Sequence, residues 1–128
     1  MPTLTLRGRV ISGRGSGKKY VSLPWVRSQV EEKLGFAPFL GTLNLQLTEE
    51  STRRRRLLEK AESVEICPAE GYCVGLVYRA FVGGLECAVV LPRVAGYEPS
   101  LLEVISAVNL RERLRLKDGD AVEVTVNV

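Results

Sequence analysis

The sequence predicts a mainly β protein: a small closed barrel of six or seven strands with two or three short helices. Three observations carry this. Apolar and polar residues alternate with a period of two in Leu4–Ser12, Thr42–Leu47 and Ala121–Val128, which is the pattern of strands with one buried face. Further apolar runs, Val64–Cys67, Cys73–Phe81, Leu85–Leu91 and Leu101–Ile105, are separated by Gly71, Gly83-Gly84 and Pro92. Many short strands punctuated by Gly and Pro turns suggest closure into a barrel.

The elements follow in order. Leu4, Leu6, Gly8 and Val10 share one face of the first strand, with Thr5, Arg7 and Arg9 on the other. Pro24 stands where helices start, Val26, Val30 and Leu34 fall four apart on one helical face, and Gly35 ends that helix. In the next strand Leu43, Leu45 and Leu47 alternate with Thr42, Asn44 and Gln46. Glu49–Ala61 reads as a surface helix or loop, with Glu49 and Glu50 at its start and Lys60 at its end, as the helix dipole favours. Gly83-Gly84 is a tight-hairpin signal. Asn109 caps a short helix from Leu110 to Leu114, and Lys117-Asp118-Gly119-Asp120 turns the chain into its last strand.

Length and composition set the bounds. At 128 residues the chain fits one domain, spanning 1–128, with a core that needs no disulfide staples. No apolar run approaches the roughly 18 residues of a membrane span, and the N-terminus lacks a signal-peptide pattern, so an intracellular, cytoplasmic protein is expected. Cys67, Cys73 and Cys87 match no zinc spacing and read as small core residues in a reducing compartment. The chain has no histidine, which removes Ser-His-Asp triads, Cys-His pairs and histidine metal sites together. A net charge of +3 is too small to mark a nucleic-acid binder. A monomer is favoured.

Three stretches carry candidate chemistry. In Gly13-Arg14-Gly15-Ser16-Gly17-Lys18 the glycines alternate with polar residues, and Lys19 and Tyr20 follow. Glycines let successive N–H groups face one point and form an anion nest, and the basic side chains add charge there. The pattern is neither a Walker A loop, which needs Gly where Ser12 stands and Ser or Thr where Lys19 stands, nor a dinucleotide fingerprint. A tight hairpin turn with solvated lysines explains the same residues. Thr42 and Asn44 are neighbouring neutral oxygen donors on one strand face, suited to Mg²⁺ with water and phosphate, although alternation alone also explains them. Arg53-Arg54-Arg55-Arg56 could meet phosphates, but without interleaved aromatics a solvated helix face is the simpler reading.

Taken together, "GRVISGRGSGKKYVSLP", "GFAPFLGTLNLQL" and "LLEVISAVNLRERLRLKDGDAVEV" resemble the archaeal CTP-dependent riboflavin kinases over nearly the whole chain. The resemblance implies a cradle-loop (RIFT-type) six-stranded β-barrel that transfers the γ-phosphate of CTP to the terminal ribityl hydroxyl of riboflavin, giving FMN and CDP. It implies nucleotide binding by Gly13, Arg14, Gly15, Ser16, Gly17 and Lys18 and by Val108, Asn109, Leu110 and Arg111. It implies Mg²⁺ on Thr42 and Asn44, and flavin contact at Ala95 and at Glu103, whose carboxylate would lie near the reacting hydroxyl. Taken without the resemblance, Glu103 reads as a polar residue on the exposed face of its strand. The chain departs from the family pattern at Ser16, where an acidic residue is common, at Ala95, where a threonine is usual, and at Gly96. Two other classes remain open. The ending "LKDGDAVEVTV" also resembles small DNA-binding barrel regulators, in which Arg53–Arg56 would meet the backbone. The Ala95 departure keeps open a nucleotide- or flavin-binding protein without turnover.

Overall fold

The computed structural model describes residues 3–12, 23–39, 41–60, 63–66, 75–92 and 98–128. The glycine stretch Gly13–Lys18, Cys67, Cys73, Ala95 and Gly96 lie outside the described residues.

Seven strands are described: β1 (Thr3–Ile11), β2 (Leu43–Leu47), β3 (Val64–Ile66), β4 (Gly75–Val82), β5 (Leu85–Pro92), β6 (Leu101–Ile105) and β7 (Ala121–Asn127). Three helices accompany them: α1 (Pro24–Leu34), α2 (Glu49–Arg54), which runs on into a 3-10 helix over Arg55–Lys60, and α3 (Leu110–Arg113). The sheet order is β3-β4-β5-β6-β2-β1-β7, and β4 also pairs with β7. That last pairing closes six antiparallel strands into a barrel and leaves β3 outside the ring. One edge of β4 serves two neighbours in turn, β3 over Gly75–Val77 and β7 over Ala80–Phe81. Closure removes the exposed edges that would otherwise invite pairing with other chains.

The alternating faces fill the barrel. Leu4, Leu6 and Val10 of β1, Leu43, Leu45 and Leu47 of β2, and Val122, Val124 and Val126 of β7 are all buried in one interior cluster. The Tyr78 hydroxyl donates to the Leu58 carbonyl at 2.7 Å, so the largest interior side chain keeps a polar partner. From Cys87 to Leu91 β5 is buried on both faces, which is why the sequence there runs apolar without alternation. Cys87, Val89 and Leu91 face the interior, and Ala88 and Val90 face outward into a second cluster.

α1 builds that second cluster. Val26, Val30 and Leu34 pack on Ile66, Val77, Ala88, Val90 and Ile105 of the outer wall. Gly35, at φ 82°, ends the helix by donating its N–H to the Glu31 carbonyl at 3.1 Å. The Arg79 guanidinium donates to the Leu34 and Lys33 carbonyls at 3.0 and 3.2 Å, tying the helix C-terminus to β4. Gly83 and Gly84 take φ 54° and 79°, as a two-residue hairpin between β4 and β5 demands.

Gly8 stands where β1 and β2 approach closely. A Cβ there would lie 2.7 Å from the Gln46 carbonyl oxygen and 3.3 Å from the Leu45 Cβ on the adjacent strand. The obstructing oxygen is backbone, held in the β1–β2 ladder, so it cannot swing aside as a side chain would. Gly8→Ala is therefore expected to destabilise the fold by about 2 kcal/mol, in the range of overpacking costs. The corresponding fall in Tm is about 6–10 °C. Calorimetric unfolding of wild type and variant checks this, and an unchanged Tm would show that the β1–β2 contact is not rigid.

Candidate active site

The antiparallel register lays a row of side chains across the outer wall. Ile11 of β1 pairs with Asn44 of β2, Asn44 pairs with Glu103 of β6, and Glu103 pairs with Val90 of β5. Directly opposed residues have Cα atoms roughly 4.5–5.5 Å apart, so the Asn44 amide and the Glu103 carboxylate are neighbours on one face. Thr42, just ahead of β2, joins them: its hydroxyl lies 3.5 Å from Asn44 Oδ1, at the limit of a hydrogen bond. The shared face expected for Thr42, Asn44 and Gln46 is thus present, with all three half-buried between buried leucines.

Glu103 departs from the bare-residue expectation. It is 1% exposed and lies within a strand whose five residues are all buried, not on an exposed face. On the same side of β6 it is flanked by Ile105 and, across the strands, by Val90, both members of the apolar cluster that α1 packs on, and by Asn44.

The row borders a cleft of about 180 Å³ at the barrel mouth, lined among others by Phe39, Thr42, Ser106 and the run Val108, Asn109, Leu110 and Arg111. The last four residues and Thr42, far apart in sequence, therefore face one cavity. Asn109 caps α3, its Oδ1 accepting from the Glu112 N–H at 3.2 Å, as the sequence suggests. Ser106 is buried, and its hydroxyl donates to the Glu86 carbonyl at 2.8 Å, while its own carbonyl accepts from the Phe39 N–H at 2.7 Å. Phe39 is 41% exposed although it lines the cleft, and its ring lies within 3.0 Å of where a Cβ on Gly41 would stand. Gly41 thus leaves room for that ring.

On the same side of the molecule, Arg111 donates from Nη1 to Ser12 Oγ at 2.7 Å and from Nη2 to Asp118 Oδ1 at 3.0 Å. Ser12 Oγ donates in turn to Asp118 Oδ1 at 2.6 Å. The Ser12 hydrogen bond, and after it Arg111, holds the Asp118 carboxyl below its ordinary value. Sequence reasoning did not single out Phe39, Ser106, Ser12 or Asp118 as site residues. The available signal for Phe39 was an aromatic between Pro38 and Gly41, a poor place for a core side chain.

The donor set fits Mg²⁺ in kind. Adjacent ligands of an octahedral Mg²⁺ sit roughly 3 Å apart, close to the 3.5 Å between Thr42 Oγ1 and Asn44 Oδ1. Among the described residues no group of three or more His, Cys, Asp or Glu is placed to hold a metal.

Two other sequence features stay outside the site. Cys87 is buried in the barrel, and burial, reinforced by Glu86, pushes its thiol up to about 12, so it is no nucleophile near neutrality. In the arginine tetrad, Arg53 pairs with Glu49 at 3.3 Å and Arg55 donates to the carbonyls of Pro99 and Glu98. No helix among the described residues is long and apolar enough to cross a membrane.

Comparison with known proteins bears on the family. The sequence model of the CTP-dependent riboflavin kinase family, described as domain of unknown function DUF120, matches residues 10–126. The chain is similar to the riboflavin kinase of Methanosarcina barkeri, at 43% identity over 94% of this chain and 56% of that protein. It is similar to the riboflavin kinase of Archaeoglobus fulgidus, at 44% identity over 97% of this chain and 55% of that protein. With the riboflavin kinase of Ignicoccus hospitalis the identity is 42% over 96% of this chain and 71% of that protein. The chain thus spans about half the length of the first two of these relatives. The match across nearly all of the chain, on a closed six-stranded barrel, shows that it belongs to the CTP-dependent riboflavin kinase family.

Proposed function

We propose that the chain phosphorylates riboflavin to FMN, taking the γ-phosphoryl group of CTP, releasing CDP and using Mg²⁺. The observation that carries this reading is the joining of Thr42 to two groups at once. Thr42 lines the same cleft as Val108–Arg111 and lies in the same polar row as Asn44 and Glu103.

The roles follow from position. Val108, Leu110 and the Asn109 side-chain NH₂ offer a wall for the base and sugar of the nucleotide. Arg111 offers positive charge to its phosphates. The glycines Gly13, Gly15 and Gly17, with Arg14, Ser16 and Lys18, begin one residue after Ser12, and β1 leads into them from beside Asn44. N–H groups there would surround the phosphates. Thr42 and Asn44 would hold Mg²⁺, which supplies charge neutralisation on the transferring phosphoryl group. Glu103 would orient the ribityl hydroxyl and accept its proton as the new O–P bond forms and the bond to the CDP oxygen breaks. Ala95 would face the flavin without the hydrogen bond a threonine offers. Phosphoryl transfer demands positioning and electrostatics more than covalent help, so a chain without histidine is equipped for it.

The direct test is to incubate the chain with riboflavin, Mg²⁺ and each of CTP, ATP, GTP and UTP, and to follow FMN chromatographically. FMN is expected with CTP. Its absence with every nucleotide overturns the reading.

Thr42→Val and Asn44→Leu each remove one oxygen donor at nearly constant shape. Losing even an outer partner of a metal costs about 10- to 100-fold. Each variant is therefore expected to lower turnover at limiting Mg²⁺ by about tenfold or more, with metal-free CTP affinity changed far less. Wild-type activity of the double variant at limiting Mg²⁺ would remove these residues as the metal site.

Glu103→Gln keeps volume and hydrogen-bonding capacity but removes the charge beside the acceptor. Turnover is expected to fall by about 100-fold or more, the usual share of a proton-accepting group, while calorimetric CTP affinity is retained. Ala95→Thr adds one neutral hydrogen bond, so the riboflavin KM is expected to fall about three- to tenfold. A Glu103→Gln variant of undiminished turnover would exclude that carboxylate from the chemistry.

A further inference from the structure

The turn that links α3 to β7 is pinned to the end of β1 by its backbone. The Gly119 N–H donates to the Val10 carbonyl at 2.8 Å, and the Val10 N–H donates to the Asp120 carbonyl at 2.9 Å. Within the turn, Asp120 Oδ2 accepts from the Lys117 N–H at 2.8 Å, and the Asp120 N–H donates to the Lys117 carbonyl at 3.0 Å. Gly119 takes φ 91°, a conformation that leaves little choice of residue. Asp118, the residue before Gly119, therefore projects from a fixed frame, and its carboxylate meets two groups at once. One is the Ser12 hydroxyl, on the last described residue before Gly13, and the other is the Arg111 guanidinium, on the lip of the cleft. Arg111 also donates to Ser12, so the three side chains close a ring.

Bland stabilisation accounts poorly for this ring. Its members are exposed or half-exposed, where an ion pair contributes little. Its geometric consequence is larger. Arg111 is a long side chain with many rotamers, and a bidentate partner set fixes it in one. We propose that Asp118 is a positioning residue for nucleotide binding: it holds the Arg111 guanidinium beside Ser12 at the lip of the cleft, so that the cation is fixed where it can meet the nucleotide's phosphates. This rests on the nucleotide reading of the cleft given above. Asp118 touches no substrate in this scheme and acts only through Arg111 and Ser12.

That claim makes a non-additivity testable. Asp118→Ala, Arg111→Ala and the double variant are titrated with CTP by calorimetry and assayed with riboflavin, with Tm recorded for each. Asp118→Ala is expected to weaken CTP binding about five- to tenfold and to raise the CTP KM in step, with the riboflavin KM unchanged and kcat within about twofold. Because Asp118 acts through Arg111, the double variant is expected to bind CTP as Arg111→Ala alone does. Asp118→Asn, which keeps acceptor oxygen for both partners, is expected to recover at least half of the lost binding energy, and it serves as the test should the alanine variant fold poorly. If the two alanine effects multiply, or if Asp118→Ala binds CTP like wild type, the positioning role is overturned while the nucleotide reading stands. If the wild-type chain binds no CTP, both fall together.

Discussion

Closure of the sheet is the constraint on which the other features depend. Six strands make a narrow ring, and its last contact, Ala80 and Phe81 of β4 with Val126 and Thr125 of β7, covers only two residue pairs. Such a ring has no spare interior volume. Leucines and valines from every strand fill it, and β1 and β2 approach so closely at Gly8 that even a methyl group has no place. Barrels of this size pack side chains inside and leave ligands to the mouth and the outer wall.

The outer wall is therefore where chemistry can be built, and its two halves are treated differently. Over β3, β4 and β5, and as far as Ile105 of β6, α1 covers the wall with apolar contacts. Over β2 and the middle of β6 the wall is polar, with Asn44 opposite Glu103. The boundary runs along β6, where Glu103 and Ile105 are neighbours on one face. A row of this kind needs fixed register, since a slip of one residue would turn Asn44 into the interior and Leu43 or Leu45 outward. Burial of the leucine face makes that slip costly, so the core indirectly sets the spacing of the polar groups.

Much of this was legible in the chain itself. Period-two alternation located β1, β2 and β7, the glycine pair located the β4–β5 hairpin, and the spacing of Val26, Val30 and Leu34 located α1 with its buried face. The helix cap at Asn109 was legible because a side-chain acceptor next to a short helix has few other uses. Glu103 is a candidate only through resemblance. Its local pattern, one acid within five residues, fits an exposed face equally well, and its neighbours on that face, Asn44 and Val90, come from other strands. The Ser12–Arg111–Asp118 ring was hidden for a similar reason: Ser12 lies 99 and 106 residues from its two partners, and the register of β1 against β7 unites them. The arginine tetrad shows the opposite case, a conspicuous charge run of which Arg53 and Arg55 pair within the protein.

The charge balance of the proposed site has its own logic. Thr42 and Asn44 are neutral, and two neutral oxygens hold a free divalent cation weakly, since Mg²⁺ gives up water reluctantly. The nucleotide phosphates would supply the missing negative charge, so metal and nucleotide stabilise one another at the wall. Glu103 is 1% exposed, and its carboxylate lies across the strand pair from Asn44, within reach of a cation held there. An occupied Thr42–Asn44 site would provide that cation on the adjacent strand. On this reading, the carboxylate and the neutral pair form one device: the group that receives the acceptor's proton and the groups that hold the metal share one row across β2 and β6.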